Sequence, residues 1–173
     1  MSATVASTPS QTAQTRIGCL AVNAAFLREI KDDNRFLDEL LLATRDAILG
    51  VDPTRLNVRA LVELLRRLRD RLAMHFSLEE AFGYFENARE FPADLSLQAD
   101  TCRREHEVLY LDVCDAVEAA EKLLYHESDR QHRILQNLST SFGHFIRKLN
   151  QHDAHENVLI DAAMAAQKSR IAP

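Results

Sequence analysis

Four stretches of this chain repeat apolar residues at alternating steps of three and four, over lengths that only long helices can use. In the third stretch, from Asp94 or Ser96 to about Tyr125, the stripe reads Leu95, Ala99, Cys102, His106, Leu109, Val113, Ala116, Ala120 and Leu123. An α-helix turns once in about 3.6 residues, so this spacing keeps one face inward. The first stretch, about Ile17 to Leu49, offers Leu20, Asn23, Leu27, Ile30, Asn34, Leu37, Leu41, Thr44 and Ile48. The second, about Thr54 to Ala88, offers Leu61, Leu65, Leu68, Leu72, His75, Glu79 and Phe82. The fourth, from after Ser128 to about Lys168, offers Leu135, Leu138, Phe142, Phe145, Leu149, His152, Glu156, Leu159 and Ala163.

Helices of about 30 residues are about 45 Å long, and short connections between them make neighbours antiparallel. The pattern therefore predicts an all-α, antiparallel up-down-up-down four-helix bundle over residues 16–169. A content of only 4 Gly and 4 Pro agrees with helices. Gly50 and Pro53, in GVDPT, suit a helix stop and the next start. The opening MSATVASTPSQTAQT, residues 1–15, is polar and reads as a disordered tail.

Composition narrows the partners. A net charge of -5 argues against a nucleic-acid surface, and the basic run RRLRDR reads as a solvated helix face. There is no apolar run of about 18 residues for a membrane span. The 3 cysteines, Cys19, Cys102 and Cys114, are odd in number and fall in helical patterns, which predicts free thiols in a cytoplasmic protein. A monomer or homodimer is expected.

The polar interruptions of the stripes carry the functional reading. His75 and Glu79 stand one turn apart on the second helix, His152 and Glu156 likewise on the fourth, and His106 breaks the third. His75 lies about 21 residues from the start of its helix, His106 about 20 from the end of its own, and His152 about 23 from the start of its own, so an antiparallel bundle brings them to one level. Asn34 on the first helix matches that level less closely. Buried carboxylates and imidazoles cost several kcal/mol each, about, unless paired or bound to a cation. Mixed nitrogen and oxygen ligands suit iron, manganese or zinc, and bridging carboxylates favour a dinuclear iron centre. His155, three residues after His152, is a reserve ligand; His126, His132 and His144 read as solvated or off the stripe, and Cys102 as a small buried hydrophobe.

In HFSLEE, REHEVL and QHDAHENVL the chain resembles the hemerythrin-like family, specifically the bacterial hemerythrin/HHE cation-binding domain, over about residues 20 to 165. The resemblance implies His75, Glu79, His106, His152 and Glu156 as metal ligands around a non-haem di-iron centre. It implies dioxygen, peroxide or nitric oxide as the small ligand, and roles in sensing, iron storage or detoxification. EIKDDNRFLDELL resembles the family's opening segment, but Asn34 stands where a histidine is usual. Asn34 is thus a sixth candidate ligand, and the centre is left open as dinuclear with a vacant position, mononuclear, or partly lost. Tyr110 stands where oxygen-carrying members have a second histidine on the third helix, which disfavours oxygen transport.

Two alternatives stay beside this reading. One is enzymatic, an iron-dependent peroxide or nitric oxide detoxification, for which the sequence identifies no substrate pocket or electron donor. The other is a metal-free helical interaction or regulatory module in which the polar residues set bundle register.

Overall fold

The computed structural model describes residues 22–32, 34–49, 56–84 and 92–171. The expected tail, Cys19, Leu20 and the GVDPT connection lie outside the described residues. Among those residues the chain is all-helical, with α1 at Ala24–Asp32, α2 at Arg35–Leu49, α3 at Val58–Leu78, α4 at Ala93–Leu123 and α5 at Ser128–Ile171. No helix among them is long and apolar enough to cross a membrane.

The first predicted helix is two helices. Asn34 closes one and opens the other: its N–H donates to Lys31 O (3.2 Å), and its own carbonyl accepts from Leu37 (3.0 Å) and Asp38 (3.3 Å). The local cause is the short polar residues Asp32 and Asn34, a residue type that competes for backbone hydrogen bonds and weakens a helix interior. The break changes which residues face inward. Ala24 and Leu27 are buried on α1 with Lys31 next in step, whereas Leu37, Leu40, Thr44 and Ile48 are buried on α2. Leu41, expected inside, is half-buried.

The second predicted helix changes character before its expected end. Asn57 caps α3 by accepting from the Ala60 N–H (3.1 Å), and the chain winds regularly to Leu78. It then enters a π turn, Glu79–Gly83, closed by Tyr84 N–H to Glu79 O (3.0 Å). A π turn holds one more residue than an α turn, which advances the inward face. Phe82, expected inside, is 52% exposed, while Gly83 and Tyr84 are buried.

Gly83 is where α1 meets this turn. The Asn23 N–H donates to Gly83 O (2.6 Å), and a Cβ on Gly83 would lie 2.1 Å from Leu27 Cδ2. Only a residue without a side chain lets the two backbones approach this closely. Asn23 Oδ1 also accepts from the Phe26 N–H (3.1 Å), so the same residue caps α1 and ties it down.

The stripes on α4 and α5 follow the sequence pattern. All nine named α4 positions are buried. On α5 the positions from Leu138 to Ala163 are buried and Leu135 is half-buried. The buried apolar residues fall into two clusters. One includes Leu65, Leu72, Phe76, Leu109, Phe145 and Leu149, and the other Leu27, Tyr84, Ala99, Cys102, Leu159 and Ala163. From α3 into the π turn, and along α4 and α5, the two are separated by buried polar residues: Glu79, His106, and His152 with Glu156.

Candidate metal centre

Glu79, His106, His152 and Glu156 converge between the two clusters. Each offers a ligand atom within 4.8 Å of the others, and all four are buried. His75, the fifth expected ligand, is 8% exposed and joins through Glu79, with its Nε2 2.9 Å from Glu79 Oε1. Asn34 stands outside the group of four: its Nδ2 lies 3.2 Å from His75 Nδ1.

Two glutamates next to the expected ligands in sequence orient the histidines. Glu80 Oε1 accepts from His106 Nδ1 (3.0 Å), and Glu105 Oε2 accepts from His152 Nδ1 (3.0 Å). A carboxylate can only accept, so the proton on each ring sits on Nδ1 and Nε2 carries a bare lone pair. Carboxylate partners of this kind orient metal-binding histidines and raise their basicity. Phe76 stacks on His106 with centroids 4.1 Å apart and planes 8° apart, which further restrains the ring.

The consequence is an unmet demand for positive charge. His106 Nε2, His152 Nε2 and Glu79 Oε2 are buried without a hydrogen bond, with His106 Nε2 3.4 Å from Glu79 Oε2, while Glu79 Oε1 has only His75 Nε2 beside it, at 2.9 Å. The first three of these atoms are acceptors. An unsatisfied buried group costs about 1–3 kcal/mol, and more when charged, so three acceptors facing one another are a standing cost in the interior. Burial raises the Glu79 carboxyl above its ordinary range despite the neighbouring His75. Burial, with His152 beside it, lowers the His106 imidazole to about 3.

Glu156 is in a different state. Lys31 Nζ lies 2.5 Å from its Oε2, and the Tyr84 hydroxyl donates to its Oε1 at 2.5 Å. Burial pushes the Glu156 carboxyl up, but the Lys31 charge and the bonds from Lys31 and Tyr84 outweigh it and hold the group below its ordinary range. Burial pulls Lys31 down while Glu156 and Asp153 hold it above its usual value. The Tyr84 phenol is raised, first by burial and then by the Glu156 charge, and stays a donor.

Sequence reasoning missed four residues here. Glu80 and Glu105 sit one position off the stripes and reach the next helix, whereas the pattern reads only what faces inward. Lys31 becomes legible once α1 is read in the phase Ala24, Leu27, Lys31, and Tyr84 once the π turn is allowed for. Cys102 forms a second close group with Glu105 and His152, but burial pushes its thiol up to about 12, so it remains a protonated, small core residue. His155 bonds Glu105 Oε1 from the surface side (3.1 Å).

Two clefts approach the site. One of about 210 Å³, lined in part by Phe26, Ile30, Asn34 and Met74, reaches His75. Another of about 610 Å³, lined in part by Phe76, Glu80, Arg103 and Tyr110, reaches His106. The donor set of imidazole nitrogens and carboxylate oxygens, with protonated nitrogens turned outward, fits a transition-metal dication. Compared with known proteins, the chain matches no family model, no curated protein and no solved structure.

Proposed function

We propose that this chain is a hemerythrin-like cation-binding protein: an up-down-up-down four-helix bundle holding non-haem iron, with roles in oxygen, peroxide or nitric oxide sensing, iron storage or detoxification. The antiparallel arrangement is supported by contacts whose numbers fall on one helix as they rise on the next. Arg66 meets Glu121 while Glu80 meets His106, and Asp112 meets Lys148 while Glu105 meets His155. One observation carries the metal reading. Of six buried side-chain polar atoms without a hydrogen bond among the described residues, four belong to Glu79, His106 and His152, and of these four only Glu79 Oε1 has a donor near it, His75 Nε2 at 2.9 Å.

Glu79, His106 and His152 would hold the ion, with His75 and Glu156 beside them and Glu80 and Glu105 orienting the rings. Iron, when bound, supplies electron exchange with dioxygen, peroxide or nitric oxide. The chain itself supplies an aromatic lining, with Phe76 stacked on His106 and the Tyr84 ring 5.8 Å from it, which favours small, uncharged ligands. The cleft at His75 suits entry of a diatomic molecule.

The test is the metal content of protein purified anaerobically without an affinity tag, followed by reconstitution with Fe(II). Bound iron that is lost in Glu79→Ala, His106→Ala and His152→Ala is the expected result. Absence of any bound metal after reconstitution sinks the proposal. It would turn attention to a metal-free regulatory module, a reading favoured by Lys31, which already neutralises Glu156 without an ion. That module predicts a melting temperature indifferent to chelation.

A further inference from the structure

We propose that the Lys31 ammonium takes the place of a second cation at Glu156, so that the centre accepts one metal ion per chain, at Glu79, His106 and His152. This deepens the metal-binding reading and rests on it.

Two buried carboxylates face the centre, and their surroundings are opposite. Glu79 has one oxygen, Oε2, without a hydrogen bond, and the other, Oε1, has only His75 Nε2 beside it at 2.9 Å. Glu156 has both engaged, by Lys31 Nζ and by the Tyr84 hydroxyl, each at 2.5 Å. Only the Glu79 side of the centre asks for a cation, and the two imidazole lone pairs without partners, His106 Nε2 and His152 Nε2, share the same group.

Lys31 is a built part of this interior. Its side chain is 15% exposed, and it is anchored by a second carboxylate, Asp153 (3.2 Å). Its helix is set by the close approach of Gly83 to Leu27 and by the Asn23 to Gly83 hydrogen bond. Lys31 lies one turn after buried Leu27 on α1, and the helix break that follows leaves Asn34 against His75, outside the converging group.

Position decides between one ion and two. Glu156 already has the Lys31 ammonium on Oε2 and the Tyr84 hydroxyl on Oε1. A second dication at Glu156 would sit within roughly a few Å of that ammonium, where like charges in a low dielectric repel strongly.

The test titrates metal-free full-length protein with Co(II) under anaerobic conditions, with d–d absorption and elemental analysis as readouts. Wild type should saturate at one equivalent per chain and Lys31→Arg, which keeps the charge, at one. Lys31→Glu replaces the cation with a carboxylate ligand and should saturate at two. Two equivalents in wild type would overturn this inference and leave the metal-binding reading standing. One equivalent in Lys31→Glu, with helical content by circular dichroism unchanged, would also overturn it. Should Lys31→Glu fail to fold, Lys31→Gln replaces it under the same criterion. No Co(II) bound by any form would refute both the inference and the reading beneath it.

Discussion

Gly83 and Gly143 offer a controlled pair for testing how α1 is held. Neither has a positive φ, so alanine can adopt both backbone conformations. At Gly143, on α5, a Cβ meets nothing within 4 Å. Gly143→Ala should therefore gain helix propensity and lose unfolded-state freedom, a stabilisation of about 0.4–1 kcal/mol. At Gly83 a Cβ would lie 2.1 Å from Leu27 Cδ2 and 2.5 Å from its Cγ, and Leu27 is fully buried. Overpacking of this kind costs about 1–3 kcal/mol, which exceeds the entropic gain. Gly83→Ala should lose about 1–2 kcal/mol net, or about 2–8 °C in melting temperature for a chain of this size. Thermal and urea unfolding of the two variants should move in opposite directions. The clash should also appear in a double-mutant cycle, because Leu27→Ala removes the atoms in the way and should cost less in the Gly83→Ala background. A Gly83→Ala protein as stable as wild type would refute the close approach of α1 to the π turn, and with it the route by which Lys31 reaches Glu156.

Three further outcomes are expected. Tyr84→Phe removes the donor to Glu156 Oε1, and loss of a buried hydrogen bond to a charged acceptor should cost about 1.5–3 kcal/mol in urea unfolding; an unchanged midpoint would deny the contact. In metal-free protein His106 is neutral when folded, with a pKa of about 3 against an ordinary 6.5, so its share of stability is complete above 6.5 and drains away as pH falls towards 3. The stability difference between wild type and His106→Leu should change over that window by up to about 1.4 kcal/mol per pH unit, and parallel pH profiles would contradict it. Metal at about 100 times its dissociation constant should stabilise the chain by about 2.7 kcal/mol, reversed by chelation; a melting temperature blind to metal at every concentration would argue against a native-state site.

The helices that the sequence describes best are those where one period serves throughout. On α4 nothing interrupts the three-four rhythm, and every named position is buried. The rhythm fails on α1 and α2 because the break at Asn34 divides one apparent stripe into two phases, and a single stripe drawn through both selects Leu41 over Leu40. It fails at Phe82 because a bond spanning five residues leaves no trace in a 3.6-residue period. At the candidate centre, Glu79, His106, His152 and Glu156 were legible because a charge on an apolar stripe is conspicuous. Glu80 and Glu105 were not, since a carboxylate beside the stripe looks solvated until the neighbouring helix is in place. Lys31 was hidden for a deeper reason: its long side chain lets a residue near the edge carry its charge to the middle.

The two apolar clusters should behave as two units of cooperativity. The layer between them is polar and, without a cation, incompletely bonded, so it transmits little packing energy from one cluster to the other. The end built on Leu27, Tyr84, Ala99 and Leu159 can then open while the Leu65, Phe142 and Phe145 end stays closed. Amide hydrogen exchange would resolve the two as separate protection levels. An ion gripped at once from the π turn, α4 and α5 would act as a clasp across that seam, merging two openings into one and turning metal occupancy into a property of the whole chain.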